Sequence, residues 1–103
     1  MIDWSLIVGF EWDQGNDRKS VEKHAVSKFE AEQVFFNQPL LVLEDRKHSQ
    51  NELRLHALGR TDHERLLHIS FTLRSDNTLI RVISARDMHR KERMIYEQKK
   101  EST

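Results

Sequence analysis

Residues 66–84, LLHISFTLRSDNTLIRVIS, decide the fold that this 103-residue sequence predicts. From residue 66 to residue 74 apolar and polar side chains alternate, which is typical of a strand with one buried face. The SDN that follows is a turn sequence, and TLIRVIS, residues 78–84, predicts the next strand. Because only a tight turn separates the two strands, we expect them to pair in antiparallel.

The segments upstream of this hairpin extend the same pattern. LIVGFEW at residues 6–12, LLVLED at residues 40–45 and ELRLHALG at residues 52–59 predict three further strands. Short turns between successive strands favour an antiparallel meander. The apolar members of the alternation are expected to form one buried face; they are Leu53, Leu55, Ala57, Leu67, Ile69, Phe71 and Leu73.

Three helices complete the predicted order β-α-α-β-β-β-β-α. Residues 16–26 predict a short helix, and Ser27 with Glu30 fits a capping box that begins a second helix. Its predicted buried face carries Phe29, Val34 and Phe35. Residues 84–100 predict a last helix with Ser84 as its cap. The side chains expected to face inward from it are Met88, Met94, Ile95 and Tyr96.

These elements predict one α+β domain over residues 1–103. We expect a mostly antiparallel sheet of about four to five strands, with two N-terminal helices and one C-terminal helix. The helices are expected to cover one face of the sheet and leave the other partly open to solvent.

Composition narrows the class of protein. The chain has no cysteine, which fits a reducing cytosol, and no apolar run approaches the ~18 residues of a membrane span. Its first residues lack the basic region of a signal peptide, so we expect a cytoplasmic protein. Seventeen basic residues balance 17 acidic ones, with acids near the start and basic residues near the end. A nucleic-acid partner stays possible if the basic side chains converge on one face; otherwise they form solvated helix faces.

The polar side of the alternating strands is the candidate site. It carries Glu52, Arg54, His56, His68, Ser70, Thr72 and Arg74, and Arg81 can join from the next strand. One interpretation is an ordinary wet sheet face. The other is a phosphodiester site, because arginine grips phosphate in a bidentate way and histidine can move a proton near neutral pH. The six histidines show no metal-binding motif, so we expect no metal.

Several motifs, taken in order, resemble the BrnT family of ribonuclease toxins. The matching stretches run from about residue 6 to residue 97: FEWD (10–13), KHAVS (23–27), EAEQVFFNQPLL (30–41), EDRKHSQNELRLHALGR (44–60), FTLR (71–74), IRVISARD (80–87) and KERMIYE (91–97). The resemblance implies a compact RelE-like fold and metal-independent RNA cleavage that inhibits translation. It also implies a cognate ribbon-helix-helix antitoxin of BrnA type, through which the complex reaches operator DNA.

The family's basic positions match Lys23, His24, Arg54, Arg74 and Arg86. We expect the three arginines to hold the scissile phosphate and Glu52 to act as the base for the 2′-OH. His56 or His68 is the expected acid for the leaving oxygen. Lys23, His24, His68 and Arg81 are expected to bind RNA. The alternative is a catalytically weak or inactive homologue that serves as an antitoxin-binding partner in an autorepressing, DNA-bound complex.

Overall fold

The computed structural model describes residues 2–102 and confirms the predicted order of strands and helices. The elements are β1 (Gly9–Phe10), α1 (Lys19–His24), α2 (Lys28–Val34), β2 (Leu41–Glu44), β3 (Leu55–Arg60), β4 (Leu66–Arg74), β5 (Leu79–Asp87) and α3 (Arg90–Glu101). Short 3-10 turns occupy Trp4–Leu6 and Arg46–His48. None of the helices within the described range is long and apolar enough to cross a membrane.

The five strands form one mixed sheet in the order β1-β5-β4-β3-β2. Strands β2 to β5 pair in antiparallel as a meander, as predicted. Strand β1 pairs with β5 in parallel at the edge, which the sequence did not indicate. The predicted first strand is also much shorter, because residues 4–6 turn into a 3-10 helix that the Asp3 carboxylate caps.

The main core lies between one face of the sheet and helices α1 and α2. Its buried residues are Val26, Ala31, Val34, Leu55, Ala57, Leu67, Ile69, Phe71, Ile80, Val82 and Ala85. Each fully buried Leu, Ile or Phe stabilises the fold by roughly 1.5–3 kcal/mol. Helix α2 comes close to β3 at Gly59, where an added Cβ would lie 2.6 Å from Val34 Cγ1.

Two apolar side chains predicted for this core are largely exposed. Phe29 is 66% exposed because it lies five residues before Val34 in α2, about 140° around the helix from that buried position. Leu53 is 42% exposed because it precedes β3, which begins only at Leu55.

Helix α3 lies on the opposite face of the sheet, so the expectation that all helices share one face was wrong. Tyr96, fully buried, packs with Leu58 and Met88 in a second cluster, separate from the main core. The Tyr96 hydroxyl also donates a hydrogen bond to the Pro39 carbonyl at 2.8 Å. Leu58 lies opposite His68 in the β3–β4 pair, so α3 covers the face that carries the polar side chains.

The start of α3 also differs from the prediction. Strand β5 continues to Asp87, and Ser84 pairs with Ser70 inside the sheet and caps no helix. His89 is the N-cap instead, and the Glu92 carboxylate accepts its backbone N–H at 2.8 Å. Of the side chains expected to face inward, Met88 and Tyr96 are buried, whereas Met94 and Ile95 are exposed.

Candidate active site

The loop between β2 and β3 is held against the polar face by short hydrogen bonds. The Ser49 hydroxyl donates to the Asp45 carbonyl at 2.6 Å and accepts the backbone N–H of Arg54 at 3.0 Å. From β4, the buried Thr72 hydroxyl donates to the Leu53 carbonyl at 2.5 Å. These bonds give residues 45–54 a defined position beside the sheet.

This loop forms an open groove of about 400 Å³, which we call the loop groove. Its lining residues are Lys47, His48, Gln50, Asn51, Glu52 and Arg54. Within residues 2–102 the Arg54 guanidinium makes no ion pair or side-chain hydrogen bond, so it is available to an anion. Arg74, at the end of β4, pairs with Glu52 at 3.1 Å between Nε and Oε2. The structure therefore brings together three of the predicted catalytic residues, Glu52, Arg54 and Arg74.

Asp45 links this groove to the centre of the polar face. Its Oδ2 lies 2.8 Å from His48 Nδ1 and 3.0 Å from His56 Nε2. Burial raises the pKa of Asp45, but the hydrogen bond from His48 and the charges of His56 and His48 outweigh it, so the pKa lies below its ordinary value. Asp45 is thus a carboxylate shared by two imidazoles, one of which is the predicted His56.

His68 lies beside His56 but is buried. The two rings are 4.6 Å apart, and His68 is only 7% exposed. Burial and the nearby charge of Arg86 lower the pKa of His68 to about 4, against an opposing effect of Glu92. His68 is therefore neutral at pH 7, and its buried Nδ1 has no hydrogen-bond partner among the described residues. The expected RNA contact of His68 stays a prediction, and in this position most of the side chain is covered by the surrounding protein.

Arg86 is held by a carboxylate of α3 and does not face the loop groove as a free cation. Its two terminal nitrogens bond both oxygens of Glu92 at 2.9 and 3.0 Å. Burial raises the pKa of Glu92, but the bonds from Arg86 and the His89 backbone outweigh it and hold the pKa at about 2. The sequence predicted Arg86 as a phosphate ligand, and a phosphate would have to displace Glu92.

The remaining predicted RNA-binding residues lie away from the groove. Arg81, expected on the open face, bonds Glu11 at 2.8 Å and Asp13 at 2.9 Å, and so fastens the N-terminal segment to β5. Lys23 and His24 end α1 and are exposed, but α1 belongs to the helical layer on the other side of the sheet. The structure does not bring these three residues to Arg54.

The sequence interpretation missed two residues of the site, Asp45 and His48. Asp45 caps the 3-10 turn and accepts the His48 backbone N–H at 3.3 Å, which places both side chains together. The spacing Asp-x-x-His is the only local signal for this, and it occurs widely in turns. No group of three His, Asp or Glu side chains in residues 2–102 is arranged to hold a metal ion.

Comparison with known proteins identifies the family. The model of the family described as "Ribonuclease toxin, BrnT, of type II toxin-antitoxin system" matches residues 12–92, which is most of the chain and includes the whole loop groove. No curated protein matches the sequence. The match confirms the resemblance seen in the motifs, and the chain belongs to the BrnT family of ribonuclease toxins of type II toxin–antitoxin systems.

Proposed function

We propose that this chain is an endoribonuclease that cleaves RNA without a metal ion and thereby inhibits translation in the cytoplasm. The observation that carries the proposal is the loop groove, an open space lined by Glu52 and Arg54. In residues 2–102 the Arg54 side chain has no partner, and Arg74 pairs with Glu52. Arginines bind phosphate, and a neighbouring carboxylate supplies a base. These are the groups needed for attack of a 2′-OH on the adjacent phosphodiester of the RNA backbone.

Arg54 and Arg74 are the proposed ligands of the scissile phosphate. The charge on its non-bridging oxygens grows as the 2′-oxygen attacks, and fixed cations stabilise that charge. Arg74 also holds the carboxylate of Glu52, since its Nη2 lies 3.4 Å from Oε1. Glu52, an exposed residue that lines the groove, is the proposed base for the 2′-OH.

Other predicted residues receive supporting roles in this proposal. The ion pairs of Arg81 and Arg86 and the burial of His68 favour positions in the scaffold over direct contact with RNA. Lys23 and His24 are exposed and stay proposed contacts for RNA beyond the cleaved bond. His56, with a side chain 33% exposed, stays a candidate acid.

The partner of a type II toxin is an antitoxin. We propose a ribbon-helix-helix antitoxin of BrnA type, with operator DNA reached only through that partner. The proposed scaffold is RelE-like, which the mixed sheet flanked by helices on both faces supports.

The test is cleavage of a single-stranded RNA by the purified protein in excess chelator. We expect full activity in chelator, and a loss of about 10²- to 10³-fold in Arg54→Ala and Arg74→Ala, the size found for removing a transition-state charge stabiliser. Arg90→Ala, which changes an exposed arginine on α3, is the matched control and should cleave normally. Full activity in both groove variants would overturn this site, and activity that needs added metal would overturn the metal-free mechanism.

An inactive homologue that only binds an antitoxin is the second candidate. Its supporting observation is that Arg74, Arg81 and Arg86 are all occupied by carboxylates of the same chain. Expression in a bacterial host separates the two functions. Growth arrest that a co-expressed antitoxin relieves and Arg54→Ala abolishes supports the nuclease; unchanged growth together with antitoxin binding supports the second candidate.

A further inference from the structure

The carboxylate of Asp45 orients the imidazole of His48. Oδ2 of Asp45 lies 2.8 Å from Nδ1 of His48, and the side chain of Asp45 is only 10% exposed. A carboxylate bonded to one ring nitrogen selects the tautomer and fixes the ring, as it does for catalytic and metal-binding histidines. His48 itself is 54% exposed and is therefore held in place while open to solvent.

The free side of this imidazole belongs to the loop groove. His48 lines the groove together with Glu52 and Arg54. Because Nδ1 is bonded to Asp45, Nε2 is the nitrogen left for a substrate, and nothing in residues 2–102 occupies it. His56 has the opposite arrangement, since it turns Nε2 towards Asp45 and packs its ring on the buried His68.

On the basis of the proposed ribonuclease function, we propose that His48 is the general acid of the cleavage and that Asp45 is its positioning residue. The 2′-oxygen forms a bond to phosphorus while the bond from phosphorus to the 5′-oxygen breaks. The 2′-OH proton passes to Glu52, and the proton on His48 Nε2 passes to the leaving 5′-oxygen. The products are a 2′,3′-cyclic phosphate and a 5′-hydroxyl, and exchange with water restores both groups.

The charges around His48 suit this role. Asp45 faces its Nδ1 and compensates the positive charge of the protonated ring. Lys47 and Arg54 line the same groove and attract the phosphate. Glu52, paired with Arg74, accepts the proton of the 2′-OH. His56 faces the same carboxylate from β3.

The decisive experiment compares two RNA substrates that differ in one atom. The first is a single-stranded oligoribonucleotide with its cleavage site mapped, and the second carries sulfur in place of the 5′-oxygen at that site. A thiolate leaves without a proton, so an enzyme that lacks its general acid recovers on the sulfur substrate. We expect His48→Gln to slow cleavage of the oxygen substrate by about 10²- to 10⁴-fold and to cleave the sulfur substrate within a few-fold of the unmutated protein.

Three controls define the outcomes. Arg54→Ala should slow both substrates, because it removes phosphate binding in either case. His63→Gln, an exposed histidine in the β3–β4 turn, should slow neither. If the unmutated protein cleaves RNA but His48→Gln is equally slow on both substrates, the role of His48 as the acid is overturned. Absence of cleavage by the unmutated protein overturns the proposed function itself.

The pH dependence separates the role of Asp45 from general damage to the fold. The unmutated protein should lose activity on the alkaline side as its acid is deprotonated, and His48→Gln should lack that limb. Asp45→Asn should shift the midpoint of the same limb, since it removes the charge that faces the ring. A lower rate in Asp45→Asn with an unmoved midpoint would assign Asp45 a structural role only.

Discussion

The three arginines assigned to the phosphate by sequence differ in what their guanidinium groups contact. In residues 2–102 the Arg54 guanidinium has no side-chain partner, and that of Arg74 pairs with the Glu52 carboxylate. The two terminal nitrogens of Arg86 both bond the Glu92 carboxylate. Alternation along the strands predicted that Arg54 and Arg74 lie on one face, and the family resemblance added Arg86 from the predicted last helix. Neither predicted which carboxylate each arginine meets. A pairing depends on which carboxylate the fold brings within 4 Å, and Glu92 comes from a separate helix.

At the residue scale we predict that His68 makes the fold labile to acid. Its pKa is about 4 in the folded protein against an ordinary value of 6.5, so the unfolded chain binds more protons between these values. The contribution of His68 to the free energy of unfolding is therefore complete above about pH 6.5, and about 3 kcal/mol of it is lost as the pH falls towards 4. Denaturant titrations at pH 7, 5.5 and 4.5 measure this loss.

The matched variants for this prediction are His68→Leu and His63→Gln. The first removes the buried titrating group and should flatten the pH dependence between 6.5 and 4, whereas the second changes an exposed histidine and should leave it intact. A slope as steep in His68→Leu as in the unmutated protein would contradict the prediction. Glu92, with a folded pKa of about 2, adds its own loss only below about pH 4.5.

At the scale of elements, the position of the β2–β3 loop determines the site. Sequence alternation predicted strand from residue 52, but β3 begins at Leu55 because the backbone before it bonds to side chains. The Leu53 carbonyl accepts from the Thr72 hydroxyl, and the Arg54 backbone N–H donates to the Ser49 hydroxyl at 3.0 Å. Residues 52–54, predicted as the start of a strand, therefore belong to a loop in a defined position that carries Glu52 and Arg54.

Thr72→Val tests this role of the loop. The change keeps the shape of the buried side chain and removes its hydrogen bond, so we expect a loss of about 1 kcal/mol in the free energy of unfolding. We also expect faster hydrogen exchange at the amides of Asp45 and Arg54, and slower RNA cleavage. Thr78→Val removes a similar bond to Ser75 in the β4–β5 turn and should leave exchange in residues 45–54 unchanged. Unchanged exchange in Thr72→Val would show that other bonds position the loop.

At the scale of the whole molecule, the sheet has a separate apolar cluster on each face. Helices α1 and α2 pack on the main core, and α3 packs through Tyr96 on the face that carries His68 and Arg86. Because α3 covers only part of this face, the loop groove stays open beyond it. The candidate site thus lies on a surface that the last helix partly covers and partly leaves free.

Tyr96→Ala tests how strongly α3 is coupled to the rest of the fold. The side chain is fully buried and is the largest in the second cluster, so we expect a loss of about 3–5 kcal/mol in the free energy of unfolding. For a domain of this size we expect one cooperative transition. Met94→Ala, an exposed residue of the same helix, should change the free energy by less than 0.5 kcal/mol, roughly the range of surface substitutions. A separate early transition would mean that α3 unfolds alone.

The sequence by itself determined the order of elements, the antiparallel meander and the family. Alternation, turn residues and the Ser27–Glu30 capping box are local signals, and each acts over a few residues. Only the tertiary structure decided that α3 lies on the polar face, that His68 is buried and neutral, and that His48 lines a groove with Arg54. Those outcomes depend on contacts between residues far apart in the chain, because burial and ion pairing are properties of the packed molecule and not of any one segment.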